Sequence, residues 1–391
     1  MDHQGPGLVR RRTAGRPTVD HPGSRLHIPH LVHALSSMDL WTSHHAAPTR
    51  AADFARQAEA LGWHGITTVD SQNLSGDPYV FLALGATASR TLGLQTSVTN
   101  PVTRHPAVTA TSALTVQKLS GGRMILGIGR GDSALAHLGR APARLKWFEN
   151  YLISLQAYLR GEEVPFAAAG IADEAAPPVE NLGLADAPSS SRIGWAKDTA
   201  KVPVEVAATG ARVISIAARH ADRIMFALGA VPERLAWGIE TARQTAAEAG
   251  RELETLSFGA YINLACHEDL DVARKLARAG TGLFARFSVM HGAIAGPASD
   301  SQAEVFRNLH ATYDMNAHGH QGGQQTAALT DEFMDGYAVI GDADHCLRRL
   351  EAVQALGIDK IAVTGPNFAA RAPEAQESAA RFTDLVMPRL R

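Results

Sequence analysis

One stretch limits the folds open to this chain more than any other: residues 92–132, LGLQTSVTNPVTRHPAVTATSALTVQKLSGGRMILGIGRGD. An apolar, β-branched run (92–98) ends in a polar loop that carries Pro101 and Pro106. A helical segment over 106–119 follows, then the turn Ser120-Gly121-Gly122, and a second apolar run (124–128) that breaks into Gly129-Arg130-Gly131-Asp132. Two short strands joined by a helix form a parallel βαβ unit, since parallel neighbours need a crossover that a hairpin turn does not provide. Ligands of such units gather where the strands end. Both endings here are polar, and the second is glycine-rich and charged.

The same strand–helix beat runs along the chain. A strand over 38–43 precedes the helical stripe Ala51, Phe54, Ala55, Ala58 and Leu61, which Gly62 stops. Residues 31–35 are an alternative first strand, less well followed by a helix. A strand over 66–69 ends in Asp70-Ser71, and Pro78 opens a helix over 79–89. After the central unit, Phe148, Tyr151, Leu152, Leu155, Tyr158 and Leu159 mark a long amphipathic helix. An Ala-, Pro- and Ser-rich excursion at 161–201 is expected on the surface, covering the mouth of the fold. Strand 202–208, turn Thr209-Gly210 and helix 211–220 restore the rhythm, followed by strand 223–227, helix 232–249 and strand 256–265. A second irregular region (280–336) precedes a helix striped by Cys346, Leu347, Leu350, Val353 and Leu356, then a last strand at 360–364. Eight strands, each with a helix, predict a (β/α)8 TIM barrel over 38–391 with insertions after strands 4 and 7. A doubly wound open sheet would want a G-x-G-x-x-G turn at its first strand, and none is present.

Residues 1–26 offer little to bury, so 1–37 are expected to be a disordered extension outside the fold. With 45% hydrophobic residues the chain has ample core, and a formal charge of −2 argues against a nucleic-acid surface. No apolar run is long enough to span a membrane. Two cysteines, Cys266 and Cys346, fall inside predicted elements, which fits a reducing cytoplasm. His27, His30 and His33 recur every third residue, and His318 and His320 bracket a glycine, but neither set has a carboxylate or cysteine at ligand spacing, so no metal is expected.

In a barrel of this kind the polar residues at the strands' carboxyl ends converge on one mouth. They are Ser43-His44-His45, Asp70-Ser71, Ser97-Val98-Thr99-Asn100, Arg130 with Asp132, and Ala208-Thr209-Gly210. Any one of them has a plainer reading as a helix cap; five together point to a site. Gly210 opens a helix N-terminus to an anion, and Arg212 adds charge there. Asp132 and Arg130 read as a charged pair, with Asp132, His44 and His45 the candidate proton-handling groups. Trp41, Trp63, Trp147 and Trp195 are candidates to wall a flat ring, although Trp147 fits the core better by its helical spacing.

Three segments carry a likeness: TNPVTRHPAVTA (99–110), SGGRMILGIGRGD (120–132) and VPVEVAATGARV (202–213) resemble the bacterial-luciferase-like superfamily, most of all its coenzyme F420-dependent, methylenetetrahydromethanopterin reductase-like branch. The stretch 337–366 is similar to that family's last helix and strand. The resemblance implies a barrel that holds a flavin or deazaflavin at its mouth. Asp70 matches the family's cofactor-contacting acid, and Ser97-Val98 its non-prolyl cis peptide under the ring. Asn100 falls in the same loop, Ala208-Thr209-Gly210 match the phosphate-binding turn, and Asp132 matches an acid ending strand four. One departure stands out: Ser71 occupies the place where many F420 dehydrogenases have histidine, so either His44 or His45 substitutes or the proton transfer is arranged differently. The Ala-Thr-Gly turn looks like the F420 form. The resemblance therefore implies an F420-dependent oxidoreductase moving a hydride to or from a small organic substrate, cytoplasmic and homodimeric. A reduced-FMN monooxygenase and a non-catalytic flavin-binding protein are the alternatives.

Overall fold

The computed structural model describes residues 38–317 and 324–390. The expected extension at 1–37, with its histidines and the alternative strand at 31–35, lies outside the described residues, as do His318 and His320. Eight strands run parallel: β1 Asp39–His44, β2 Gly65–Thr68, β3 Gly93–Thr96, β4 Met124–Ile128, β5 Val204–Ala208, β6 Arg223–Phe226, β7 Ser257–Cys266 and β8 Lys360–Thr364. Each pairs with its successor, and β8 returns to β1 with Asp39 opposite Lys360. The sheet is closed, and the predicted (β/α)8 barrel is the observed fold.

Local chemistry sets the helices that surround it. Pro48 starts α1 (Pro48–Ala60), which buries Ala51, Phe54, Ala55 and Ala58, and Gly62 at φ +81° ends that turn. The Asp77 carboxylate accepts the first free N–H groups of α2 (Pro78–Ala88), and the His105 ring caps α3 (Pro106–Ser120) at Ala107 N. Helix α4 (Leu145–Leu159) buries the expected apolar stripe. Trp147 departs from expectation: it is 45% exposed, with its indole N–H donated to the Pro101 carbonyl. Helices α5 (Ala211–His220) and α6 (Pro232–Glu248) follow β5 and β6.

The excursion at 161–201 is largely exposed. A two-residue antiparallel pairing of Val164–Pro165 with Ser190–Ser191 pins it, and none of its residues lines the mouth, contrary to expectation. The region expected to be irregular, 280–336, is mostly helical among its described residues. Helix α7 (Leu270–Phe287) runs into it, and α8 (Asp300–Thr312) opens with a capping box between Ser299 and Gln302. Helix α9 (Asp331–Tyr337) packs Phe333 and Tyr337 on Phe306 of α8. A short additional strand, Val339–Gly341, pairs with the far end of β7 at Leu264–Cys266. Helix α10 (Ala343–Gln354) then returns the chain to β8. Cys266 and Cys346 are both buried free thiols, as their positions within elements led us to expect.

Inside the barrel, one layer is built around Trp41. A Cβ on Gly65 or Gly93 would lie 2.3 Å from the indole, so neighbouring strands yield their side chains to a single large ring. Below it is a polar knot. Lys360 Nζ sits 3.7 Å from the Trp41 ring centroid and donates to Glu205 Oε1 at 2.9 Å and Gln95 Oε1 at 2.8 Å. Gln95 in turn donates to Glu205 Oε2 at 2.7 Å, and Arg223 lies 3.2 Å from Glu205. Burial drives Lys360 down to about 8, against the opposing pull of Glu205. Removing Lys360 leaves the buried Glu205 with Arg223 as its remaining cation, at 3.2 Å, which costs more than losing both Lys360 and the Glu205 charge. Lys360→Met is therefore expected to destabilise the fold by about 3–5 kcal/mol. In urea unfolding, the double change Lys360→Met/Glu205→Gln should lose less than the single one; a double variant weaker than Lys360→Met would show that the knot is not a coupled unit.

Candidate functional site

The carboxyl ends of the strands enclose one cavity of about 1220 Å³. His44, His45, Asp70, Ser97, Val98, Asn100, Asp132, Thr209 and Gly210 all line it. Ala208 does not: its side chain is buried away from the cavity and its carbonyl accepts from Ala227 N at 3.0 Å. The period-2 alternation of β5 requires this, because Ala207 and Thr209 already face inward.

Asp70 organises the loops after β2 and β3. Its carboxylate accepts from Gln72 at 2.5 Å, from the Thr99 hydroxyl at 2.7 Å and from the Arg104 guanidinium. Arg104 also reaches Asp77 at 2.9 Å and stacks 5.2 Å from the Tyr79 ring. Asp70 is thus a buried structural anion with most of its acceptor capacity in use. The Ser97–Val98 peptide between these loops is cis, and Thr99 then resumes pairing with β4. A Cβ built on Gly129 would lie 3.0 Å from Val98 Cγ2 and 3.7 Å from the Ala207 Cβ, so the β3 bulge and the end of β5 meet across that glycine. Asn100 Oδ1 accepts from Val102 N and Thr103 N at 3.0 Å each, while its Nδ2 is buried with no partner. An unpaired buried donor on a cavity wall calls for an acceptor in the guest.

The histidines at the end of β1 differ. The His44 ring packs on Phe54 at 4.5 Å and Phe81 at 5.9 Å, and its Nδ1 donates to the His45 carbonyl at 2.5 Å. That bond leaves Nε2 as the unprotonated nitrogen of the neutral ring. Burial lowers the pKa of His44 from its ordinary value, so the ring is neutral at pH 7. His45 is exposed. Ser71, at the position the resemblance marks as a departure, lies 3.3 Å from the Ser133 hydroxyl and joins the loops after β2 and β4.

Opposite this wall the cavity is cationic. Gly210 has φ −91°, which any residue adopts, and a Cβ there would meet only Ala295, at 4.0 Å. What the glycine gives is an uncovered approach to the N-terminus of α5, where the first N–H groups lack helical acceptors. Arg212, on this first turn, and Arg130, from the end of β4, both face the cavity, and neither has a carboxylate partner among the described residues. Arg130 donates to the Ala143 carbonyl at 2.7 Å and contacts His291 Nε2 at 3.3 Å. Burial first, then Arg130 and Arg212, hold the pKa of His291 below its ordinary value.

The expected Arg130–Asp132 pair is not formed. Asp132 is bound instead by Arg286 of α7, whose guanidinium lies 4.4 Å from the Tyr313 ring and 5.6 Å from that of Phe287. The aromatic wall was also misassigned. Trp41 is in the barrel core, Trp63 packs on Phe382, Trp147 and Trp195 are about half exposed, and Trp237 of α6 is the tryptophan that lines the cavity, with Tyr261, Phe284 and Phe287. Arg104, Arg286, His291, Trp237 and Tyr261 were not singled out by sequence. Arg104 alone had a visible signal, in the loop between the two prolines. Among the described residues no cluster of metal-ligating side chains exists, and no helix is long and apolar enough to cross a membrane.

Residues 30–360 match the family described as luciferase-like monooxygenase. Over 327 residues the chain is 24% identical to a 5,10-methylenetetrahydromethanopterin reductase of Methanolobus tindarius, covering 81% of this chain and 90% of that one. The fold matches the coenzyme F420-dependent tetrahydromethanopterin reductase of Methanopyrus kandleri with a TM-score of 0.69 at 17% identity, over 91% of this chain and all of that one. An F420-dependent secondary alcohol dehydrogenase in complex with an F420–acetone adduct gives 0.65 at 14%, over 91% and 100%.

A bound anion would offset the charges that depress His291 and raise its pKa, so binding takes up a proton. Affinity for sulfate, which does not titrate in this range, is expected to rise as pH falls from 8 towards 5.5. His291→Gln should flatten that slope and Arg212→Ala should weaken binding at every pH. An unchanged slope in His291→Gln, read by calorimetry, would remove His291 from the anion end.

Proposed function

Because the chain belongs to the luciferase-like monooxygenase family, we propose that it is an oxidoreductase that binds coenzyme F420 and transfers a hydride between it and a small organic substrate. The observation that carries this reading is one cavity with two unlike ends: an apolar shelf at Val98, and an uncovered helix N-terminus flanked by Arg130 and Arg212, which have no carboxylate partner among the described residues. A tricyclic ring with a phosphate-bearing tail fits both. When bound, such a cofactor supplies the redox centre, accepting or giving two electrons as a hydride.

The chain's residues hold and orient. Val98 and Ser97 would hold the ring, and Asn100 Nδ2, which has no partner among the described residues, would offer it a donor. The N–H groups at Thr209, Gly210 and the start of α5, following Ala208, meet the phosphate together with Arg212 and Arg130. Asp70 keeps the shelf in shape through Thr99 and Arg104. Tyr261, Phe284 and Phe287 exclude water from the reacting face. The proton is handled by His44 Nε2, neutral at pH 7, with His45 at the entrance. Asp132, also a candidate for the proton, is engaged by Arg286 and positions α7. A second copy of the chain is expected to cover the exposed side chains Val80 and Leu84 of α2 and Val108 of α3.

The two solved structures named as F420-dependent support that cofactor; the family description, luciferase-like monooxygenase, leaves a monooxygenase, with reduced FMN as its cofactor, as the second reading. Purified full-length protein titrated with each cofactor separates them. Tighter F420 binding, with its spectrum bleaching or recovering as substrates are offered, is the expected result. Preferred FMN binding with oxygen-dependent turnover would overturn it. His44→Gln should lower turnover by about 100-fold or more and leave F420 affinity nearly unchanged; equal turnover would exclude it from proton transfer.

A further inference from the structure

The wall of the cavity that faces the start of α5 is an irregular segment, 288–297, between α7 and α8. Gly292 and Gly296 turn it at φ +83° and +76°. Irregular backbone needs something to hold it, and here one side chain makes three hydrogen bonds to the segment, beside the segment's own Ala295 N to Ser288 O bond. Arg234 of α6 is 1% exposed and has no carboxylate partner among the described residues. It donates to Ser288 Oγ at 2.8 Å, Ala295 O at 2.8 Å, Pro297 O at 2.6 Å and Leu228 O at 3.2 Å, with its guanidinium 5.1 Å from the Phe306 ring. A buried guanidinium is tolerated only when its fork of donors is satisfied, and three of these four acceptors belong to the one segment. One turn further along α6, Trp237 lies so close that a Cβ on Gly296 would fall 2.9 Å from its ring.

We propose that Arg234 is a positioning residue for the cofactor site, fastening segment 288–297 so that His291 is set against the anion-binding end. Two contacts give it that reach. Ala295, whose carbonyl Arg234 binds, carries the Cβ nearest to the Gly210 turn, and His291 meets Arg130 at 3.3 Å. The guanidinium is outside the cavity and acts only through the segment. Lysine, a single point donor, cannot bridge acceptors on both sides of that loop.

This rests on the reading of the α5 end as a phosphate site, so the test has arms that do not need F420. In full-length protein without cofactor, Arg234→Gln is expected to raise hydrogen exchange at amides 289–296 while the barrel strands keep theirs. Sulfate and F420 affinity should each fall about tenfold, the scale of one charge-assisted contact. His291→Ala should weaken both similarly. The double variant should lose no more than the worse single one, because both act through one element. Unchanged exchange in Arg234→Gln, or losses that add in the double variant, overturn the proposal. If Arg234→Gln does not fold, Gly296→Ala displaces the same segment from the α6 side. It should reproduce the pattern, and local exchange without weaker sulfate binding would overturn the proposal. Should wild-type protein bind sulfate but neither F420 nor FMN, the cofactor reading fails while the exchange and sulfate arms still decide the role of Arg234.

Discussion

The ion pair between Lys360 and Glu205 is the constraint on which the rest of this structure depends. It joins β8 to β5 across the middle of the barrel, and Gln95 and Trp41 bring in β3 and β1. Four strands from distant parts of the sequence are tied at one level. A layer of aliphatic side chains would fill the same volume but accept small shifts between strands; hydrogen-bonded charges at 2.8–2.9 Å accept few. The knot lies inside the barrel, away from the cavity lining, and Val98 beyond β3 and Thr209 beyond β5 stand at the ends of strands that it ties.

The mouth is fixed by the same device at smaller scale. Arg104 ties the loop after β3 to Asp70, Arg286 ties α7 to the loop after β4, and Arg234 ties the 288–297 segment to α6. Each guanidinium is largely buried, and each bridges elements that share no regular hydrogen-bonding. Loops in barrels carry the chemistry but have no ladder to hold them. Buried planar donors provide that hold at points chosen one loop at a time.

The barrel was legible because strand and helix periods alternate at close spacing, and a strand's final polar residue reveals where the core ends. That rule found Asp70, Asn100 and Gly210. It failed on Ala208 because facing depends on register parity, which a motif likeness does not weigh. It placed Asp132 on the cavity wall but not its partner, because Arg286 lies 154 residues away. Trp147 sits beside an apolar stripe but not in it, a difference of one helical position. The three-residue strand Val339–Gly341 is too short to show a period, whereas α8 had a readable start in Ser299 and Gln302 that the surrounding polar sequence masked.

The two arginines without carboxylate partners have a consequence for how fast a guest arrives. The whole chain is formally slightly negative, at −2, yet the opening at α5 concentrates positive charge between low-dielectric walls. An anionic molecule is repelled weakly by most of the surface and drawn strongly at one place. If the start of α5 takes the anion proposed above, its capture would be faster than size and diffusion alone would give, and added salt would slow it by screening. Arg130 and Arg212 would then act as an electrostatic funnel toward the start of α5.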